Sequence, residues 1–115
     1  MSDDCLFCNI INGDIPADII KKTKTVCAFR DINPQAKTHI LIIPLKHIAS
    51  TRELNDNNIK YLSEMALLAN QIAVEEGIND NGYRWVLNTG DDGGQTVGHI
   101  HLHVIGGRQM HWPPG

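Results

Sequence analysis

At 115 residues, with 42% hydrophobic and 20% charged residues and a net charge of −3, the chain has the size and make-up of one soluble globular domain. Its mild acidity and scattered basic residues exclude a surface built mainly for nucleic acid, and no apolar run approaches the ~20 residues of a membrane span. The start Met1-Ser2-Asp3-Asp4 lacks the basic-then-apolar layout of a signal peptide, and three cysteines do not make a disulfide framework, so a reducing compartment is expected: the cytoplasm, with the nucleus also compatible.

In chain order, Cys5 to Ile11 reads as a short helix, opened by Asp3 or Asp4 as cap and stopped by Asn12-Gly13. Two short strands follow, Ile19 to Lys22 and Val26 to Arg30, then a turn at Asn33-Pro34-Gln35. The β-branched and aliphatic run Thr38 to Ile43 predicts a buried strand ended by Pro44. Asp56 to Glu76 is the one long helix: Ile59, Leu62, Ala66, Ala69, Ile72 and Ala73 share a stripe at helical spacing, and Gly77 supplies the stop. Met65, Leu67 and Leu68 widen that stripe beyond what one sheet face needs, which suits either more core or contact with a second subunit. Strands at Tyr83 to Asn88 and His99 to Ile105 complete an α+β domain whose connections mostly permit antiparallel pairing.

The last strand carries the chemistry. In His99-Ile100-His101-Leu102-His103-Val104-Ile105, strict alternation sends three imidazoles to one face and the aliphatic side chains to the other. Successive histidines are then about 6.6 Å apart at Cα, within reach of one small substrate or one metal. A neutral imidazole is both a nucleophile and a proton carrier. Immediately before this strand, Asn88 to Gly98 contains four glycines in eleven residues, with Gln95 and Thr96 adding neutral donors. Such a loop can turn backbone amides toward an oxyanion such as phosphate. Neither GxxxxGK[ST] nor GxGxxG occurs, which excludes a P-loop or a Rossmann site.

Cys5-Leu6-Phe7-Cys8 is a C-x2-C pair, a spacing that suits two thiolates on one tetrahedral zinc, with His47 and His99 as distant candidates for the other ligands. The alternative is that both cysteines pack as small hydrophobes; Cys27, mid-strand, reads as core. A rival metal site would use the histidine cluster itself, His39 included, to make a metal-bound water.

These residues also form a family pattern. His-x-His-x-His followed by two apolar residues resembles the signature of the histidine triad superfamily of nucleotide-binding proteins. The likeness extends through Phe29-Arg30-Asp31-Ile32-Asn33-Pro34-Gln35-Ala36, Thr38-His39-Ile40-Leu41-Ile42-Ile43-Pro44 and Asp92-Gly93-Gly94-Gln95-Thr96-Val97. The ending Gly106 to Gly115 resembles the Hint branch.

The resemblance implies a single domain over 1–115: a five-stranded antiparallel sheet with one long and one short helix. It implies a homodimer whose sheets join into one of ten strands, with the tail 106–115 contributing to the dimer and the active site. It implies hydrolysis of purine nucleoside phosphoramidates and related adenylates, with no catalytic metal. Under it, His101 is the nucleophile that becomes nucleotidylated, with His103, His39 and His99 supporting it. A purine nucleotide would contact Phe29, Asp31, Ile32, Asn88, Gly94, Gln95, Thr96, His101, His103 and Trp112, the last across the dimer. Some bacterial members carry C-x2-C and bind structural zinc, which here would fall to Cys5, Cys8, His47 and His99. Two other classes stay open: a non-catalytic nucleotide-binding or scaffold protein, and a metal-dependent hydrolase.

Overall fold

The computed structural model describes residues 5–115. Helix α1 (Leu6–Ile11) is followed by β1 (Ile19–Lys22), β2 (Val26–Arg30), β3 (Thr38–Pro44), a 3-10 turn at Thr51–Glu53, α2 (Ile59–Glu75), β4 (Tyr83–Val86) and β5 (Leu102–Gly106). The five strands form one sheet in the order β1-β2-β3-β5-β4, every neighbouring pair antiparallel. The expected fold class and both helices are therefore present.

β3 is central and buried along its whole length, which is why it reads as an unbroken apolar run rather than as alternation. Ile40 and Ile42 point to the α2 side, where they meet Met65, Leu68, Ile72, Leu102 and Val104. Leu41 and Ile43 point to the α1 side, against Phe7, Cys8, Ile10 and Phe29. Two small cores thus sandwich the sheet, and the face that carries α1 also carries the histidines. Ile42 has no exposed surface and stands between Ala28 and Leu102 in the ladder. Ile42→Ala is expected to destabilise the domain by about 2–5 kcal/mol, read from the shift in denaturant midpoint.

Several boundaries differ from expectation for local reasons. The N-cap of α1 is Cys5, whose Sγ accepts from the Cys8 amide at 3.3 Å; the anticipated caps Asp3 and Asp4 lie outside the described residues. The long helix begins at Ile59, not Asp56, because Asn55 and Asn58 bond each other's backbone amides through their side chains and hold the chain in a turn. Leu67 is exposed rather than core, unlike Met65 and Leu68. β4 stops at Val86, two residues early. β5 starts at Leu102, so His99, Ile100 and His101 precede the ladder; instead the Ile100 amide donates to the Ile48 carbonyl at 2.7 Å. Among the described residues no helix is long and apolar enough to cross a membrane.

Candidate active site and metal cluster

The alternation of the triad survives its partial exclusion from the sheet. His101 and His103 line a cavity of about 240 Å³ on the α1 face, and their ring centroids are 5.0 Å apart. His39, from β3, stands behind His103. The two are diagonal neighbours, since Leu41 pairs with His103 and His39 with Ile105.

Hydrogen bonds fix which ring nitrogen of each histidine carries its proton. The Gln35 amide donates to Nδ1 of His39 at 3.0 Å, so the His39 proton sits on Nε2. That Nε2 is 2.8 Å from Nδ1 of His103, which must then accept, leaving the His103 proton on Nε2. His101 is set the opposite way: its Nδ1 is 2.8 Å from the His99 carbonyl, which can only accept, so Nδ1 is the donor and Nε2 keeps its lone pair. A nucleophilic nitrogen and an N–H donor are thus held side by side. Asp31 adds a carboxylate oxygen 3.4 Å from Nε2 of His39, while its other oxygen accepts from the Asn33 amide at 2.8 Å.

Two of these rings, His103 and His39, are held toward the neutral form. Burial, followed by the neighbouring His101 and His39, holds the His103 pKa down to about 4, against the opposing charge of Asp31. Burial lowers His39 as well, and Asp31 again opposes it. The linkage has a definite sign. Above the ordinary value near 6.5, His103 is neutral whether the chain is folded or unfolded. Between about 6.5 and 4 the unfolded chain takes a proton that the folded site refuses, so stability falls as pH is lowered through that window. Denaturant midpoints measured from pH 7 to 4 should fall accordingly, and His103→Gln should flatten part of the slope.

Of the residues expected to hold a nucleotide, Phe29, Asp31, Ile32, Thr96, His101 and His103 line the cavity. Gln95 is placed differently. Its Oε1 accepts from the Gly90 amide, and its Nε2 donates to the Ala49 and Val97 carbonyls at 2.7 and 3.0 Å, so the side chain builds the loop. The same loop needs glycine at 93, where a Cβ would sit 2.3 Å from the Thr89 carbonyl oxygen. Asn88 and Gly94 belong to this loop but do not line the cavity, and Trp112 is 82% exposed and away from it. Sequence reasoning missed the wall supplied by α1, where Phe7 meets the His101 ring edge-on at 5.0 Å and the Phe29 ring at 5.5 Å. The signal was available: a C-x2-C pair that approaches His99 brings the intervening Phe7 with it.

His99 has no exposed surface and faces away from the cavity. Its Nε2–H donates to the Pro44 carbonyl at 2.9 Å, leaving Nδ1 as a lone-pair donor 3.3 Å from Cys5 Sγ and 3.5 Å from Cys8 Sγ. His47 Nδ1 is 3.4 Å from Cys8 Sγ, and all four atoms lie within 4.8 Å of one another. A zinc tetrahedron with ordinary Zn–S and Zn–N lengths has an S···N edge of about 3.6 Å. The donor set and its spacing fit that ion, and the Pro44 carbonyl supplies the outer partner that metal-bound histidines use. Burial foremost lowers the His99 pKa to about 4, against the hydrogen bond to Pro44, and His47 and His101 add to the shift.

A larger cavity, about 570 Å³, lies between Gly77–Ile78, β4 and the tail, and no histidine or cysteine lines it.

Comparison with known proteins agrees with this geometry. Residues 4–112 match the family model described as "Scavenger mRNA decapping enzyme C-term binding". The purine nucleoside phosphoramidase of Escherichia coli K12 is 44% identical over 110 residues, covering 96% of this chain and 92% of the relative. The 14 kDa zinc-binding protein of Zea mays is 46% identical over 112 residues, covering 96% and 87%. The crystal structure of a HIT family hydrolase from Legionella pneumophila superposes with a TM-score of 0.94 at 52% identity, covering 96% of this chain and 99% of that one. Sharing both the fold and the sequence of these relatives over nearly its whole length, the chain belongs to the histidine triad family, in its Hint-like branch.

Proposed function

We propose that this protein hydrolyses purine nucleoside phosphoramidates through a covalent nucleotidyl-histidine on His101. The observation that carries the reading is the tautomer of that ring: Nδ1 donates to the His99 carbonyl, so Nε2 keeps its lone pair on a ring that lines the cavity. The 44% identical phosphoramidase supports a P–N bond as the target.

His101 Nε2 would attack the α-phosphorus, and the P–N bond breaks as the departing nitrogen takes up a proton and leaves as an amine. Water then attacks the same phosphorus, the bond to the ring breaks, and a nucleoside monophosphate is released. Nε2–H of His103 and the hydroxyl of Thr96, both at the cavity wall, would stabilise charge on the phosphoryl oxygens. Phe29 and Ile32 would flank the base, and Asp31 would take the ribose hydroxyls. Asn88, Thr96 and Trp112 would act at the phosphate and leaving-group end, and Gln95 through the loop it braces.

Cys5, Cys8, His47 and His99 would hold a structural zinc, which supplies cross-linking rather than reaction chemistry; the zinc-binding relative supports this. The homodimer would form along the edge strand β4, where Trp85 is half exposed, and along α2, where Leu67 and Val74 are exposed seven residues apart. The exposed Trp112 on the tail would then reach the partner's site. Light scattering giving a monomer at micromolar concentration would sink that part. None of Cys5, Cys8 and Cys27 is in a disulfide, which suits a reducing compartment such as the cytoplasm.

The deciding experiment is incubation with adenosine 5′-phosphoramidate, with AMP and ammonia as the expected products. A nucleotidyl-histidine trapped by rapid quenching during turnover excludes the metal-hydrolase class, in which water attacks phosphorus directly. Tight AMP binding without any turnover would replace the enzyme with a non-catalytic nucleotide-binding or scaffold protein.

A further inference from the structure

We infer that the Cys5–Cys8–His47–His99 cluster is a positioning device for the nucleophile, acting through the backbone of His99. The inference rests on His101 being the nucleophile, and it concerns what holds that ring in its reactive tautomer.

Three observations converge. First, the ladder ends too early to do the work. The last β3–β5 pair is Ile42 with Leu102, and the last β4–β5 pair is Val86 with His103, so residues 99–101 stand outside sheet pairing. Second, the few bonds that place this segment run through His99 and its neighbour. The Ile100 amide donates to the Ile48 carbonyl at 2.7 Å, and the His99 ring is pinned through Nε2–H to the Pro44 carbonyl at 2.9 Å. The remaining nitrogen, Nδ1, faces the two cysteines. Third, the carbonyl of this same residue accepts the Nδ1 proton of His101 at 2.8 Å. One residue therefore offers its ring to the cluster and its backbone to the nucleophile.

Helix α1 doubles the connection. It has six residues, too few to be stable alone, and its N-cap and third residue are the two cysteines. Between them stands Phe7, whose ring touches both His99 and His101 edge-on, at 5.9 and 5.0 Å. Tethering Cys5 and Cys8 to His99 thus fixes both the carbonyl that orients the His101 ring and the wall against which that ring packs. Without a metal, His99 Nδ1 has only thiol contacts at 3.3 and 3.5 Å, a much weaker constraint than coordination. Loss of the tether would free the His99 peptide to rotate and release the Nδ1 proton of His101, so that the other tautomer places a proton where the lone pair is needed.

The test uses whole protein with ¹⁵N-labelled histidine, and zinc itself as the probe. In zinc-loaded protein His101 should show a protonated Nδ1 and an unprotonated Nε2. Chelation should shift its signals toward a mixture of tautomers, and added zinc should restore them in step with occupancy. Turnover of adenosine phosphoramidate should fall on the order of 10- to 100-fold on chelation, more in kcat than in KM, because the bound geometry is disturbed rather than the cavity lost. Because chelated protein or Cys8→Ala could unfold, His47→Ala is the second arm: His47 is exposed, so its removal weakens zinc binding while keeping Cys5, Cys8 and His99. In that variant the His101 signals should follow the weaker zinc titration. The inference is overturned if folded, zinc-free protein keeps the His101 tautomer and kcat, if the His101 signals ignore zinc occupancy in His47→Ala, or if neither protein binds zinc. The NMR readout needs no substrate, so a failed phosphoramidase assay with a zinc-tracking His101 would sink the proposed reaction and leave this coupling standing.

Discussion

His101→Ala is expected to reduce phosphoramidate turnover by about 10⁴-fold or more, the order seen when a covalent nucleophile is removed, while AMP binding changes only modestly. The asymmetry follows from how the cavity is divided. His101 supplies its free Nε2, whereas the walls come from α1, Phe29, Leu41 and the segment at Thr96–Val97. Replacing the ring opens space beside Phe7 without removing the surfaces that would hold base and ribose. His103 cannot substitute, because its Nδ1 faces His39 and its Nε2 carries the proton. Rapid quenching should trap AMP on the wild-type protein as an acid-labile adduct on histidine and recover none from the variant. Comparable turnover in His101→Ala and wild type, measured on folded protein, would remove the nucleophile from this ring.

The alternating triad, the strand segments and the C-x2-C pair were legible in the sequence for one shared reason: each depends on short-range spacing. The five-stranded sheet and the grouping of His47 and His99 with the cysteines came instead with the family resemblance. Alternation in 99–105 put His101 and His103 on one face and Leu102 and Val104 on the other, and that parity survived although the ladder begins only at Leu102. C-x2-C likewise places two thiols on one short helix whatever lies around it. Hidden were properties set by partners distant in sequence. That His99 turns its ring to Cys5 and Cys8 rather than to the cavity depends on Pro44 as an acceptor, which alternation cannot reveal. Gln95 carries the donors a phosphate would want, yet its amide is engaged by Gly90, Ala49 and Val97, contacts that exist only once the loop folds over the 3-10 turn. The late start of α2 belongs to the same class in miniature, since reciprocal asparagine bonds outcompete helix for three residues.

His39→Leu is expected to lower kcat by about 10²–10³-fold although His39 does not line the cavity, the loss found when one donor is taken from an oxyanion site. The effect travels through a proton. With His39 present, its Nε2–H occupies Nδ1 of His103 and forces the His103 proton outward onto Nε2, toward the place of the phosphoryl oxygens. Leucine offers no donor, so Nδ1 of His103 is free to take the proton, which the Asp31 carboxylate, within 4.8 Å, favours. The ring then presents a lone pair to an anion, and attraction becomes repulsion. KM should change less than kcat, because the charge concerned develops in the transition state. Because the two rings act as one unit, His39→Leu combined with His103→Leu should be hardly worse than His103→Leu alone, a non-additivity of the kind expected for groups in direct contact. ¹⁵N spectra should show the His103 proton moved to Nδ1 in His39→Leu. A variant that keeps kcat within about twofold, or a double variant whose losses multiply, would show that His39 acts only as packing beneath the site.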